Sequence, residues 1–320
     1  MSAQSSASPE FALEVKNLMK SYGAYPGVWD VSLTVEQGTL HGFLGPNGSG
    51  KTTTMKCVMG LLHKTSGLIK VFGEEPHGDA RELKKRVGYM PESPSFPAYL
   101  KGREVLITYG RIRAASDGAR LREESRSLLQ QVGLADAAEK PFGKYSRGMQ
   151  TRLGIAVAML GKPDLLILDE PTEGLDPVGV ADVRNLLEGL VSEGRSVLLS
   201  SHQLSEVKQM CGKVTVVNKG RTVIEGSVED LAKRLHGGIV YRAEFDSLAP
   251  DLMDELKTVD GVSEVTSVEE DVVAVLISKD YDVRPLLARL AVKHGSLLLS
   301  CEREETPLEE LFISLVKENK

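Results

Sequence analysis

Residues 45 to 53 read GPNGSGKTT, and residue types in that order suit the holding of an anion. Gly45, Gly48 and Gly50 carry no Cβ, so the backbone can curl until its N–H groups converge on phosphate oxygens. Lys51 is then placed to reach the β- and γ-phosphates as a point charge, and Thr52 to offer its hydroxyl to Mg²⁺. The helix opening near Thr52 aims its positive end at the nucleotide. Asn47, Ser49 and Thr53 complete the stretch and belong with the expected nucleotide-binding residues. An ordinary glycine turn between strand and helix is the alternative; the fixed positions recur by chance in a chain of this length with a frequency on the order of one per cent.

A second group of reactive types ends the apolar run in LLILDEPTEGLDP. Adjacent carboxylates at the C-terminal edge of a parallel sheet, beside a phosphate loop, can divide the work. Asp169 is expected to hold Mg²⁺ through its water shell, and Glu170 to polarise an attacking water. His202 closes the next run, SVLLSSH, on the same edge. There its imidazole can hydrogen-bond the γ-phosphate oxygen on which charge develops.

Positioning such residues requires a sheet. From Phe11 to Gly42, FALEVKNL, WDVSLTV and TLHGFL alternate like antiparallel strands that lead into the strand before the loop. Between roughly 92 and 145 the spacing turns helical, in LKGREVLITYGRIR and ARLREESRSLLQQVGL, and implies a helical insertion, about 92–160. The runs DLLILDE and SVLLSSH, separated by the helical VADVRNLLEGLVSEG, are of the kind expected of buried parallel strands and imply a doubly wound α/β core. After Gly226 the pattern changes to strand, helix, strand, strand, helix, strand over 239–320, the order of a ferredoxin-like α+β domain. Thr306 and Glu309 form a capping box for a closing helix. Residues 1–10, MSAQSSASPE, read as disordered.

Bulk composition narrows the partners. A chain of 320 residues that is 41% hydrophobic can bury the cores of two domains, and a formal charge of −6 argues against a nucleic-acid partner. Cys57, Cys211 and Cys301 lie far apart without metal-ligand spacing, as in a reducing compartment. No apolar run approaches the roughly 20 residues that cross a bilayer, so a soluble, cytoplasmic chain is expected.

With the phosphate loop, LLILDEPT, EGLDP and SSH in that order, residues 11 to about 230 resemble the ATPase subunit of an ABC (ATP-binding cassette) transporter. The resemblance implies a P-loop α/β core with an antiparallel β subdomain and a helical insertion. It also implies that Ser146 and Gly148, in YSRGMQTRLGIAVAML, bind the γ-phosphate held by an opposite subunit. It places Tyr22 in KSYGAY as the aromatic that stacks on adenine and counts Asp176 of EGLDP with the cofactor-binding residues. Glu92 of VGYMPES stands where the family usually has a glutamine that senses Mg²⁺, and a carboxylate there is a candidate metal ligand. The signature also departs from the commonest Leu-Ser-Gly-Gly-Gln, with Tyr145, Arg147 and Met149 around the retained Ser and Gly. These departures and the α+β tail look like the exporter subgroup in which the ATPase is a separate soluble chain at the inner face of the cell membrane.

One loop and one signature per chain then imply a homodimer, or a heterodimer with a related ATPase chain, around two ATP, driving an integral membrane permease. ESPSFPAYL and the helical insertion are the expected contact with that partner. The competing expectations are a soluble ABC ATPase acting on ribosomes or DNA, and a nucleotide-gated scaffold with little turnover.

Overall fold

Alternation of apolar and polar residues builds the first hairpin. The computed structural model describes residues 11–23, 25–76, 81–113, 118–228, 239–259, 261–269, 271–277 and 282–304. The segment 1–10 and the capping box at Thr306 and Glu309 therefore lie outside the described residues. Strand β1 (Phe11–Tyr22) pairs antiparallel with β2 (Tyr25–Glu36). Leu13, Val15 and Leu18 of the first and Val31, Leu33 and Val35 of the second are fully buried.

The next strand follows a different rule. β3 (Leu40–Leu44) is buried at every position, as a strand covered on both faces must be. Although TLHGFL was grouped with the antiparallel runs, β3 is the parallel strand that leads directly into the loop. Then come α1 (Lys51–Val58), β4 (Ser66–Val71), which pairs antiparallel with β1, α2 (Arg81–Lys85) and β5 (Val87–Met90). Helices α3 (Gly102–Arg113), α4 (Gly118–Gln131) and α5 (Arg147–Ala158) occupy the stretch read as helical. Glu92 to Leu100 is bend, turn and irregular backbone instead, because Pro94 and Pro97 lack the N–H a helix needs and disfavour helical geometry before them. The chain returns to the sheet with β6 (Leu165–Leu168), α6 (Pro177–Ser192), β7 (Ser196–Ser201), α7 (Leu204–Met210), β8 (Lys213–Asn218) and β9 (Arg221–Ser227).

These strands form one mixed nine-stranded sheet in the order β4-β1-β2-β9-β8-β3-β7-β6-β5. The parallel core runs from β8 through β3, β7 and β6 to β5. The antiparallel layer joins it through one parallel pairing, Asp30 opposite Arg221. Leu13, Val15 and Leu33 of the antiparallel strands share a core with Phe43, Met55, Ile167 and Leu198, so the sheet and α1 are packed as a unit. In-register pairing of β3 with β7 and of β7 with β6 brings the ends of three parallel strands to one edge.

The chain divides after Val228 into two compact units. In the second, β10 (Ile239–Phe245), α8 (Pro250–Thr258), β11 (Val262–Glu269), β12 (Val272–Ile277), α9 (Arg284–Lys293) and β13 (Leu298–Glu304) follow one another. The four strands pair antiparallel in the order β11-β12-β10-β13. Tyr241, Phe245, Leu252, Leu256, Val275 and Leu287 give this unit its own core.

A buried titratable group sits in the central strand. His41 of β3 shares a hydrogen bond of 2.8 Å between Nε2 and Thr215 Oγ1. Burial, reinforced by the charge of Lys213, lowers its pKa from 6.5 to about 4. Protons therefore bind the unfolded chain more readily, so this contribution to stability is complete above pH 6.5 and is lost as the pH falls toward 4. The loss reaches about 3 kcal/mol. His41→Gln, which keeps a polar partner for Thr215, is expected to lose less stability than the parent over that window. Urea unfolding at pH 7 and pH 4.5 checks it, and parallel losses in both chains would refute the assignment.

Candidate active site

The loop between β3 and α1 owes its shape to glycine. Gly48 and Gly50 have φ of 80° and 104°, the left-handed region that side chains with a Cβ rarely adopt. Gly45 lies so close to β8 that a Cβ there would stand 2.4 Å from the Val217 carbonyl oxygen and 2.5 Å from Ser49 Oγ. The loop is tied down by Gly45 N–H donating to the Ser201 carbonyl and Gly220 N–H donating to the Ser49 carbonyl. Asn47 and Gly48 are exposed, Ser49 is buried with a hydroxyl that has no hydrogen-bond partner among the described residues, and Thr52 and Thr53 are half-buried in the first turn of α1. The N–H groups of that turn have no intrahelical acceptor.

Lys51 and Glu170 meet inside the protein. Lys51 Nζ donates to the Gly45 carbonyl at 2.6 Å and lies 3.2 Å from Glu170 Oε1, with the two side chains only 6% and 7% exposed. The second contact is an ion pair without hydrogen-bond alignment, since Oε1 accepts no directed bond from the described residues. The other carboxylate oxygen, Oε2, is 3.0 Å from His202 Nδ1. Glu170 thus stands between the lysine of the loop and the histidine that follows β7, and the three residues expected to be catalytic converge. Its backbone has φ of 51°, left-handed for a residue with a side chain, at a cost of roughly 1–2 kcal/mol.

Asp169 is fully buried beside them. Oδ1 accepts the Ser200 hydroxyl at 2.6 Å, while Oδ2 has no hydrogen-bond partner among the described residues. A buried carboxylate oxygen left open, with the Thr52 hydroxyl on the neighbouring helix, suits a hard divalent cation that takes its remaining ligands from phosphate and water. Among the described residues no group of three His, Cys, Asp or Glu could hold a metal ion. Glu92 is exposed two positions past the end of β5, and Asp169 N–H donates to the Met90 carbonyl beside it. Burial pushes the Tyr89 phenol upward, and the charges of Asp169 and Glu92 push it further.

The remaining expected residues have structural partners in this chain. Ser146 caps α5 by accepting Met149 N–H at 3.3 Å, and Asp176 caps α6 by accepting Gly179 N–H at 2.8 Å. Gly148 packs against Leu175, and Arg147 pairs with Glu173 at 3.1 Å, so the start of α5 rests on the turn that follows Glu170. Tyr145 is buried, donates its hydroxyl to the Ala137 carbonyl and covers Gly102, where any Cβ would strike the phenol oxygen. Tyr22 is half-exposed at the end of β1, with Lys20 Nζ 4.9 Å over its ring. Among the described residues no hydrogen bond or ion pair joins Tyr22, Ser146 or Gly148 to the loop.

Several hydroxyls and one acid went unnoticed in the sequence. Ser200 contacts both acidic residues, since its Oγ also accepts Glu170 N–H at 2.9 Å. Glu206 of α7 accepts Thr172 Oγ1 at 2.5 Å and Ser201 Oγ at 3.4 Å. It thereby ties the turn after Glu170 to the end of β7. The signal was available only as polar residues adjoining DE and H in otherwise apolar strands.

A glycine-shaped loop at a helix start, with a buried lysine and two carboxylates at the C-terminal edge of a mixed α/β sheet, defines a nucleotide-binding protein of the phosphate-loop class. Comparison with known proteins agrees and sharpens this. The sequence model of the ABC transporter family matches residues 28–173. The bacitracin transport ATP-binding protein BcrA of Bacillus licheniformis is 34% identical over 305 residues, 95% of this chain and 97% of that protein. The daunorubicin/doxorubicin resistance ATP-binding protein DrrA of Streptomyces peucetius is 32% identical, over 96% of this chain and 89% of that one. A solved structure of an ATP-binding subunit of an ABC transporter superposes with a TM-score of 0.64 at 28% identity, covering 70% of this chain and 92% of its own. The chain belongs to the ABC transporter ATP-binding proteins.

The loop geometry gives a direct expectation. Gly45→Ala must displace a β8 carbonyl or move the loop, and is expected to destabilise the chain by about 1–3 kcal/mol. Gly48→Ala meets no atom within 4 Å and carries only the left-handed backbone cost, about 1 kcal/mol. Urea unfolding of the two variants compares them, and a larger loss at Gly48 would show that the approach to Val217 does not constrain the loop.

Proposed function

We propose that this chain is the ATP-hydrolysing subunit of an ABC exporter, acting with Mg²⁺ as a homodimer, or with a related ATPase chain, on a separate integral membrane permease. The observation that carries the reading is the convergence of Lys51, Glu170 and His202 beside Asp169 at one sheet edge. Lys51 leaves Glu170 and the Gly45 carbonyl for the β- and γ-phosphates, freeing the carboxylate. Glu170 accepts a proton from the attacking water as the water's oxygen bonds to phosphorus and the bond to the ADP oxygen breaks. His202 donates a hydrogen bond to the γ-phosphate oxygens as their charge develops. Asp169, Thr52 and, more peripherally, Glu92 are the protein groups for Mg²⁺, which when bound neutralises charge shared between phosphates. The loop residues Gly45, Asn47, Gly48, Ser49, Gly50 and Thr53 hold the phosphates, and Tyr22 stacks on adenine.

Ser146 and Gly148 serve the nucleotide on the opposite subunit, because a helix start suits the γ-phosphate, and Asp176 belongs to the same interface. Relatives named for bacitracin transport and for daunorubicin/doxorubicin resistance support transport out of the cell. A place at the cytoplasmic face of the membrane follows from that role, and among the described residues no helix is long and apolar enough to cross a membrane. We read 239–320 as a ferredoxin-like accessory domain that steadies or regulates the dimer. Its antiparallel order β11-β12-β10-β13 supports that reading.

Glu170→Gln tests the mechanism. The variant keeps its shape and is expected to bind ATP while hydrolysis falls by about a hundredfold or more. With ATP and Mg²⁺ it should elute as a dimer in size-exclusion chromatography, with ADP as a monomer, and adding Ser146→Arg should abolish the dimer. Hydrolysis at the parental rate would remove Glu170 from its role.

A further inference from the structure

Parallel pairing of β6 with β7 sets Leu168 opposite Leu199, so the next residues, Asp169 just past β6 and Ser200 within β7, come side by side. Ser200 is fully buried in β7, next to the apolar run Val197, Leu198 and Leu199, and its hydroxyl has one proton to give. That proton goes to Asp169 Oδ1 at 2.6 Å, a length typical of a hydroxyl on an ionised carboxylate. A lone pair of the same oxygen accepts Glu170 N–H at 2.9 Å. Donation to the carboxylate makes the hydroxyl oxygen a better acceptor, so the two bonds reinforce each other.

The geometry points to Ser200 as the positioning residue for both acids of the site. By occupying Oδ1 it determines that Oδ2 is the Asp169 oxygen left open to a divalent cation. By holding Glu170 N–H it stabilises the left-handed backbone that places this carboxylate between Lys51 and His202. With its hydroxyl engaged by Asp169 and Glu170, Ser200 acts through the two residues it fixes. This inference rests on the ATPase reading above and assigns a role to a residue outside the loop, the acidic pair and the histidine.

The test compares the full-length parent with Ser200→Ala and Ser200→Cys, the second keeping the side-chain shape with a much weaker donor. Three quantities are measured: affinity for ATP in EDTA by calorimetry, Mn²⁺ affinity in the presence of a non-hydrolysable ATP analogue by electron paramagnetic resonance, and the rate of hydrolysis. In both variants metal-free ATP affinity is expected to stay within about twofold, while Mn²⁺ affinity and kcat each fall by roughly tenfold or more, the usual effect of removing a partner that orients a metal ligand. Unchanged Mn²⁺ affinity and kcat in both variants would overturn the proposal. An equal loss of metal-free ATP affinity would also overturn it, because it would show general damage to the site. If Ser200→Ala does not fold, the Cys variant decides by the same measures. A parent that neither binds Mn²⁺ with the nucleotide nor hydrolyses ATP would overturn the ATPase reading and this inference with it, whereas an active parent with unaffected variants sinks only the role of Ser200.

Discussion

Burying a lysine ammonium is tolerable only if its charge is answered, and the site depends on how Lys51 is answered. Moving a charged group from water into a protein costs several kcal/mol unless a partner and hydrogen bonds replace the lost hydration. Here the replacements are the Gly45 and Pro46 carbonyls and the Glu170 carboxylate. The loop carbonyls face the ammonium because the backbone turns sharply at glycine. The carboxylate is present because β6 ends beside β7 and β7 beside β3. The pair therefore couples loop shape to strand order, and neither is adjustable alone. On the proposed function, a phosphate that takes the lysine must release Glu170, so nucleotide binding and liberation of the carboxylate would belong to one exchange of partners.

The sheet makes that coupling rigid. Leu40 to Leu44 and Leu165 to Leu168 are buried at every position, so a shift of either strand by one residue would carry its polar end into the apolar core. Register is consequently fixed by the same residues that fix the fold. The antiparallel layer adds to this from the other side. Val28 lies against Gly50, while Trp29 N–H donates to the Gly220 carbonyl and Gly220 N–H to the Ser49 carbonyl. The loop is thus braced from β2 and from the turn between β8 and β9 together.

Much of the site was legible because phosphate chemistry demands particular types in a particular order. Gly45, Lys51, Asp169, Glu170 and His202 could be picked out by type and by their place at strand ends. What the chain order does not reveal is which strand lies beside which. The pairing of β3 with β7 and of β7 with β6 joins segments far apart in sequence, and it explains the meeting of Lys51 with Glu170. Strands β4, β5, β8 and β9 were not picked out: β5 is only four residues long, and KVTVVN is an apolar run that follows α7 without a punctuating proline. Ser200 and Glu206 escaped notice for a related reason. A serine in an apolar strand and a glutamate on a short helix look ordinary until register shows what they face.

The altered signature shows how a departure from a family pattern can be compensated locally. Tyr145 is too large for a position next to a residue with a Cβ, but Gly102 leaves room for the ring, and its hydroxyl finds the Ala137 carbonyl. Phe142 and Phe96 extend the contact through ring pairs at 6.0 and 5.2 Å, and Phe96 lies in the run ESPSFPAYL. The tyrosine therefore links the start of α5 to the segment that leaves β5, adding to the backbone bonds from Phe142 N–H to the Leu100 carbonyl and from Gly143 N–H to the Ala98 carbonyl. Arg147 does the same in the opposite direction through Glu173, three residues past Glu170. Displacement of α5 would be transmitted through an aromatic contact on one side and through an ion pair on the other, and the second ends at the turn that follows Glu170. The residues that depart from the commonest signature thus lie between the helical insertion and the turn after Glu170.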